Sequence, residues 1–144
     1  MNEVIIRKLK MEDSDDISLI YGAITQPSDR FEFKNIIEEQ VKRDEGACFA
    51  AELDGSVVGY IICYILSGGF GINKSAWIAN VGVDPKYMGQ GIGDRLAQEV
   101  FNFFKAKGIK NIYTSVRWDS TDLLSFFKRL GFDRSNFINL RKHL

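Results

Sequence analysis

The 144-residue sequence predicts a single α/β domain, residues 1–144, with a mixed central sheet and helices on both faces. Its length suits one ordinary core, and no linker, repeat or low-complexity segment divides it. Apolar residues switch between helical spacing and strand alternation along the chain. An antiparallel meander followed by a crossover through a glycine turn implies one parallel pair of strands. The predicted element order is β-α-α-β-β-β-α-β-α-β.

The first part of the chain predicts one strand and two helices. Residues 4–9 form the expected first strand. Residues 12–24 begin with acidic side chains, which favour a helix N-terminus, and then carry apolar residues at helical spacing, namely Ile17, Ile20, Tyr21 and Ile24. After a break at 26–30, a second helix is predicted from the apolar face formed by Phe33, Ile36, Ile37 and Val41.

Three strands are expected next, joined as a meander. Asp54-Gly55 lies between the apolar runs 47–53 and 56–66, and this dipeptide is the strongest short hairpin signal. A glycine-rich loop follows at 67–74. The strand 76–83 then alternates so that one side would carry Trp77, Ala79, Val81 and Val83.

The second part of the chain predicts a helix, a strand, a helix and a last strand. An apolar stripe defines the first of these helices, made of Ile92, Leu96, Val100, Phe103 and Phe104. Gly108 would close this helix at its C′ position. The strand 111–116, a helix ending at Gly131 and a terminal strand over 137–144 complete the expected sheet.

Composition argues against several classes of protein. A hydrophobic fraction of 45% and a charged fraction of 26% are typical of a soluble globular chain. The formal net charge of zero gives no basic field for nucleic acid. The longest apolar stretch is too short to span a bilayer, and the N-terminus lacks a signal peptide, so no membrane partner and a cytoplasmic location are expected. A single histidine, with Cys48 and Cys63 inside apolar strands, favours core cysteines over a metal site or a disulfide.

Gly89, Gly91 and Gly93 stand at alternate positions between a strand and a helix. The dinucleotide fingerprint fails because its third glycine would fall at Asp94, and the P-loop motif is absent. The first amides of a helix lack internal partners, carry about half a positive charge, and can bind a pyrophosphate. One glycine would suffice for a tight turn, so the sequence favours an anion site over a purely structural turn.

Residues 81–96, VGVDPKYMGQGIGDRL, resemble the acetyl-CoA signature Q/R-x-x-G-x-G/A of the GNAT superfamily of N-acetyltransferases. The segment 122–132, DLLSFFKRLGF, is similar to a later motif of that family, and the element order is also similar. The resemblance implies acetyl-CoA in a V-shaped gap of a splayed parallel pair, 76–83 and 111–116. The cofactor-binding positions it implies are Val81, Gly82, Val83, Met88, Gly89, Gln90, Gly91, Ile92, Gly93, Asp94, Ser120, Phe126 and Phe127.

Gly82 has two interpretations on the sequence alone. A glycine inside a strand often marks a bulge or a close approach of backbone, here by the cofactor. A bulky core neighbour above the glycine is an equally good explanation.

Four positions depart from the family pattern, two of them serines: Ser120 replaces a common Asn, and Ser115 stands where N-terminal acetyltransferases of the family often carry a general-base glutamate. Met88 replaces the usual Gln or Arg, and Lys86, Arg95 or Lys128 could supply the missing charge. Phe127 stands where many relatives carry a tyrosine that protonates the leaving thiolate. The remaining set of candidate catalytic groups is Ser115, Asp119 and Tyr64. Asp119 could instead cap the next helix, and Tyr64 could be a strand aromatic.

The resemblance implies direct transfer of an acetyl group from acetyl-CoA to a primary amine by a monomer or homodimer. The amine could be a protein N-terminus, a lysine or a small molecule. The acceptor is expected between the segment 26–33 and the loop 67–74, near Phe70 and Trp77. Because the usual acid and base are missing, a CoA-binding regulatory module with little or no turnover is the alternative, and a binder of another phosphorylated ligand is a third.

Overall fold

The computed structural model describes residues 3–24, 33–43, 46–69 and 73–144, with only the backbone described at residues 33, 36 and 40. The chain divides into two compact units, Met1–Thr114 and Ser115–Leu144. The first unit contains the whole sheet and three helices, and the second contains one helix.

The sheet has five strands in the order β1-β2-β3-β4-β5. The strands are β1 (Ile5–Lys8), β2 (Phe49–Leu53), β3 (Ser56–Ser67), β4 (Lys74–Val83) and β5 (Ile112–Thr114). The helices are α1 (Ser14–Ile24), α2 (Phe33–Lys42), α3 (Ile92–Ala106) and α4 (Thr121–Arg129). β1 to β4 pair antiparallel and β4 pairs parallel with β5. The predicted α/β class with a mixed sheet is therefore confirmed.

The hairpin between β2 and β3 forms at Asp54-Gly55, as predicted. Asp54 has φ 52° and Gly55 has φ 81°, the pair of positive angles that a two-residue turn of the primed type requires. The turn matches the twist of the flanking strands, so a local dipeptide preference fixes the register of the meander.

Helices cover both faces of this sheet, also as predicted. On one face, α1 and α2 pack on β2 and β3 around the buried residues Leu9, Ile17, Ile20, Ile37, Cys48, Ala50, Val57, Tyr60 and Ile62. On the other face, α3 packs so closely that a Cβ on Gly59 would lie 3.0 Å from Ile92 Cγ2. Phe103 of α3 meets Phe49 of β2 edge to face with ring centroids 6.0 Å apart.

β4 contains a bulge at Ala79. Ile62 pairs with Asn80 while Cys63 pairs with Ile78, so Ala79 is the extra residue. An extra residue reverses the alternation of side chains along a strand. The prediction that Trp77, Ala79, Val81 and Val83 share one side is therefore wrong, because Trp77 and Val81 fall on opposite faces.

The predicted terminal strand over 137–144 does not form. These residues have no regular structure, and Ile138 and Leu140 are 81% and 88% exposed. A strand needs a partner for its backbone groups, and residues 115–144 hold no other strand with which it could pair within that unit. β5 is also shorter than predicted, since it ends at Thr114.

Cys48 and Cys63 are both buried and are not joined in a disulfide. Burial raises the pKa of Cys63, and Cys48 Sγ donates to the Cys63 carbonyl at 3.4 Å. Both residues therefore behave as core positions, as predicted. In the described ranges, no group of histidine, cysteine and carboxylate side chains is arranged to hold a metal. None of the described helices combines the length and hydropathy needed to cross a membrane.

Arg7 of β1 links the sheet to the start of α1. Its guanidinium donates to both oxygens of Asp13 at 2.8 and 2.9 Å and to Glu52 at 3.0 Å. Asp13 also accepts from the Lys10 amide. Burial raises the pKa of Asp13, but the bonds from Arg7 and Lys10 outweigh it, so that pKa lies below its usual value. The same pairing raises the pKa of Arg7.

We expect Asp13→Asn to lower the free energy of unfolding at pH 7 by about 1–3 kcal/mol, because a charged acceptor in a part-buried network is lost. A depressed pKa in the folded state stabilises the fold above the unfolded value of about 3.9, and this contribution disappears as pH falls toward the folded value. The difference between the two proteins in urea unfolding should therefore become smaller as pH is lowered from 5 to 3.

Asp15→Asn is the matched control for this prediction. Asp15 pairs with Lys34 at 2.9 Å, but both side chains are largely exposed. Exposed pairs contribute little, so this variant should unfold like the unmodified protein. Equal losses from the two substitutions would contradict the role assigned to Asp13.

Candidate functional site

The glycine turn is built by a proline, a capping carboxylate and two left-handed glycines. Asp84 accepts from the Lys86 amide at 3.0 Å and opens a 3₁₀ turn over Pro85–Tyr87. Gly89 and Gly91 then adopt φ 80° and 79°. Within the described chain, no other atom comes within 4 Å of a Cβ built on either glycine. Their outer side is therefore open to a ligand.

Gly91 is the N-cap of α3, and the first turn of that helix is pinned to the sheet. The Ile92 side chain is 2% exposed and packs over Gly59. Ile92 was predicted to bind cofactor, but its side chain belongs to the core, so only its amide faces the turn region. Gly93 lies inside the helix, and Asp94 places a half-buried carboxylate in the first turn.

Few positively charged side chains are available to an anion at this turn. Met88 is 54% exposed and supplies no charge, and Lys86 lies exposed in the 3₁₀ turn. Arg95, one of the predicted compensating cations, donates instead to the Val4 carbonyl at 2.7 Å. Anion binding at this turn would thus depend mainly on backbone N–H groups and on the helix dipole.

β4 leaves an open edge directly before this turn. β5 pairs with β4 only at Ala76, Trp77 and Ile78, and Thr114 Oγ1 donates to the Ile78 carbonyl at 3.0 Å. Past Ile78, no strand of the described chain pairs with this side of β4. β4 therefore continues past its short parallel pairing toward the glycine turn, and the splay that the family resemblance implied stays a prediction.

The bulge decides which groups this edge presents. The Asp84 amide donates to the Val58 carbonyl at 2.8 Å, so the backbone at 84 points toward β3. Backbone direction alternates along an antiparallel strand, so Gly82 and Asn80 also face β3. Val81 and Val83 consequently direct their N–H and C=O groups to the open edge. Both carry half-buried side chains.

Gly82 lies under a tyrosine. A Cβ at this position would be 2.7 Å from Tyr60 Cε1, and the Tyr60 hydroxyl donates to Asn80 Oδ1 at 3.0 Å. Tyr60 is fully buried, and burial raises its pKa. The sequence left two interpretations of Gly82 open, and the packing supports the one in which a bulky core neighbour lies above the glycine.

Three of the predicted cofactor-binding residues belong to the second unit and lie on or beside α4, namely Ser120, Phe126 and Phe127. Phe127 is 4% exposed and packs edge to face on Phe126 and Phe132 at 5.1 and 5.0 Å. Gly131 closes the helix with φ 95°, and the Phe132 amide returns to the Phe127 carbonyl at 3.0 Å. Ser120 is the N-cap residue, without a side-chain capping bond.

Two of the catalytic candidates, Ser115 and Asp119, also lie in the second unit. Ser115 is exposed and accepts from Asn139 Nδ2 at 2.9 Å. Asp119 is held by Arg117 through two bonds of 3.1 and 3.0 Å, and this pairing lowers its pKa. An exposed carboxylate with a lowered pKa is a weak general base. It does not cap α4 either.

Tyr64, the third candidate, belongs to a row of aromatic rings. It is 37% exposed and stacks on Trp77 with an 8° angle between ring planes. Trp77 in turn stacks on Tyr113 of β5 at 5.0 Å. Sequence reasoning identified Tyr64 and Trp77 separately and missed Tyr113, because the strand register that aligns them was not known. The other predicted acceptor-lining parts, the segment 26–33 and Phe70, lie outside the described residues.

Known proteins were compared at the levels of family, sequence and structure. The model of the acetyltransferase (GNAT) family matches residues 13–132, and the chain belongs to this family. Its members use acetyl-CoA as co-substrate. The open turn at Gly89 and Gly91, and the edge of β4 beside it, fit such a ligand.

One curated relative is an uncharacterized N-acetyltransferase of Methanocaldococcus jannaschii, 26% identical over 150 aligned positions. The alignment covers 92% of this chain but only 62% of that relative.

Two solved structures share the fold. The aminoglycoside N-acetyltransferase AAC(6')-Iy in complex with CoA superimposes with a TM-score of 0.82 at 16% identity, covering 99% of this chain and 96% of that one. A PaiA N-acetyltransferase of Thermoplasma acidophilum in complex with coenzyme A gives 0.79 at 21% identity, covering 94% and 93%. Identities this low support the fold alone.

The packing at Gly82 can be tested by Gly82→Ala. The added methyl group would overlap the ring of the fully buried Tyr60, and overpacking of this kind costs about 1–3 kcal/mol. We expect a lower urea midpoint with an unchanged m-value. Unaltered stability would show that the ring has room to move and that Gly82 is not needed for packing.

Proposed function

We propose that this chain transfers an acetyl group from acetyl-CoA to a primary amine. Family membership supports the reaction class. The observation that carries the proposal is that the open edge of β4 and the open glycine turn follow one another along the chain. The open edge of β4 at Val81 and Val83 leads within six residues into the open, left-handed turn at Gly89. A ligand with an amide-bearing arm and a diphosphate requires such a neighbouring pair of sites.

In this proposal the backbone does most of the binding. The amides of residues 88–94 hold the diphosphate, assisted by the α3 dipole. The N–H and C=O groups of Val81 and Val83 pair with the amides of the arm as an added strand would. One N–H of this edge polarises the thioester carbonyl, as an oxyanion donor does. That Ser120, Phe126 and Phe127 also bind the cofactor stays a prediction from the family resemblance.

Proton transfer is proposed to need no dedicated side chain. The acceptor amine attacks in its unprotonated form, the C–S bond breaks, and the proton lost by the nitrogen passes through water to the departing sulfur; a cysteine thiol has a reference pKa of about 8.5, which makes a thiolate a tolerable leaving group. A positioned acid or base is worth about 10²–10⁴-fold, whereas holding the reactants together can supply roughly 7–11 kcal/mol. Ser115 and Tyr64 remain proposed only as groups that could order a water.

Gly91→Ala and Gly108→Ala form a matched pair for the binding site. Both glycines are left-handed, at φ 79° and 78°, one at each end of α3, and neither Cβ would meet another described atom within 4 Å. Each substitution should cost about 1–2 kcal/mol of stability through backbone strain.

Only Gly91→Ala should weaken CoA binding, by roughly tenfold, because a side chain would stand between the amides and the phosphates. Isothermal titration with CoA measures this difference. Equal weakening by the two variants would remove the glycine turn from the proposed site.

The reaction itself is tested by mixing the protein with acetyl-CoA and a panel of primary amines and measuring free thiol. We expect CoA release whose rate rises with pH as the amine loses its proton. Asp119→Asn should stay within about threefold of the unmodified protein, because the carboxylate is already paired and ionised across that range.

A different result would identify the alternative function. CoA binding without thiol release above background for any amine would favour a regulatory CoA-binding module. No stabilisation by CoA, together with stabilisation by another nucleotide, would point to a different phosphorylated ligand. A single domain, a cytoplasmic location and a monomeric or dimeric state stay predictions.

A further inference from the structure

The rings of Tyr64, Trp77 and Tyr113 form a continuous row across β3, β4 and β5, which we call the aromatic row. The register places the three residues directly opposite one another. Ring centroids are 6.4 Å apart for Tyr64 and Trp77 and 5.0 Å apart for Trp77 and Tyr113. Trp77 Nε1 donates to the buried Ser75 Oγ at 2.8 Å, which fixes the indole.

The row lies on the same face of the sheet as α1 and α2. Tyr64 follows Ile62 by two residues on β3, and Ile62 belongs to the core beneath those helices. Yet Tyr64 is 37% exposed, and Trp77 and Tyr113 are half-buried. Large rings at a sheet surface that keep this much exposure offer contact area to a ligand.

The three strands that carry the row contribute no acidic side chain. Over Ser56–Ser67, Lys74–Val83 and Ile112–Thr114, the only charged residue is Lys74. Lys74 is three positions from Trp77, so strand alternation directs it to the opposite face. A second ammonium group on a ligand would therefore find no carboxylate from these strands.

The aromatic row is also continuous with the proposed transfer site. Asn80 pairs with Ile62 and Trp77 pairs with Tyr64, so Asn80 lies on the face of the row and two positions away along β3, about 7 Å at the usual strand rise. The open edge at Val81 is the next residue. An acceptor lying on the row can therefore direct its amine toward that edge.

We infer that the aromatic row selects acceptors whose amine is attached to a neutral, flat apolar group, and that it disfavours polycationic amines. This inference rests on the proposed acetyl transfer, since it specifies the acceptor of that reaction. The occupant is recognised by ring contact and by the lack of carboxylates on these strands.

Phenethylamine and 1,4-diaminobutane are the two probes. Each has an unhindered primary amine. Phenethylamine also carries an aromatic ring, whereas 1,4-diaminobutane carries a second ammonium group. With acetyl-CoA, the kcat/KM for phenethylamine should exceed that for 1,4-diaminobutane by about tenfold, the order expected from one or two aromatic contacts. Equal values, or a preference for the diamine, would overturn the inference.

Tyr64 provides a paired substitution. Tyr64→Phe keeps the ring and should keep the preference for phenethylamine. Tyr64→Leu should raise KM for phenethylamine by about three- to tenfold and leave KM for the diamine unchanged, while any change in kcat caused by loss of the hydroxyl should equal that of Tyr64→Phe for both amines. A role limited to packing would change both amines equally and would appear as lost thermal stability.

A binding measurement separates this inference from the proposed reaction. The chain has two tryptophans, and Trp118→Phe leaves Trp77 as the single tryptophan, which is excited selectively at the red edge of the absorption band. With CoA present, phenethylamine should quench this fluorescence saturably and 1,4-diaminobutane should not.

Selective quenching without thiol release would support the aromatic row while refuting acetyl transfer. Turnover of both amines at equal rates would support transfer while refuting the row. If phenethylamine neither quenches Trp77 nor is preferred in turnover, the row is not the acceptor site.

Discussion

One extra residue, Ala79, sets the geometry on which the site depends. Without this bulge, alternation from Ile78 would direct the backbone of Asn80 and Gly82 to the outer edge of β4. With the bulge, the backbone groups of Val81 and Val83 point to the outer edge instead. The Trp77 side chain then lies on the opposite face of the sheet from the Val81 side chain. Bulges also increase local twist, which suits a strand that leaves its parallel neighbour after three pairs. A single insertion thus determines both the strand pairing of β4 and the direction of its backbone donors.

The glycine turn depends on the core as much as on its own sequence. Ile92 inserts beneath α3 against Gly59, and a Cβ at position 59 would lie 3.0 Å from Ile92 Cγ2, so a larger residue there would require Ile92 to shift. Because the first turn of α3 is pinned in this way, its amides are fixed before any ligand arrives, and binding loses less conformational entropy. Asp94 in that turn opposes an anion electrostatically, so the amides and the dipole must outweigh it.

Local signals predicted most of the fold, and long-range pairing decided the rest. Asp54-Gly55 and the periodic apolar faces act within a few residues, so their consequences could be predicted. The bulge at Ala79 has no glycine or proline to mark it and arises from the register with β3. The prediction of a terminal strand over 137–144 was wrong because alternation of apolar residues does not provide a pairing partner. The contact of Gly82 with Tyr60 and the alignment of Tyr113 with Trp77 likewise depend on residues distant in sequence.

In the proposed function the backbone binds the cofactor and side chains contact the acceptor, and this difference has a consequence for specificity. The proposed cofactor site, made of amides, would tolerate Met88, because substitution of a side chain leaves the N–H groups in place. The same backbone cannot distinguish one amine from another, since it contacts only the common donor. In the proposed reaction, discrimination would therefore come from side chains, and the rings aligned by the register of β3, β4 and β5 are the large apolar groups that we infer to contact the acceptor. A change in acceptor preference would then require substitution in that row and no change in the turn.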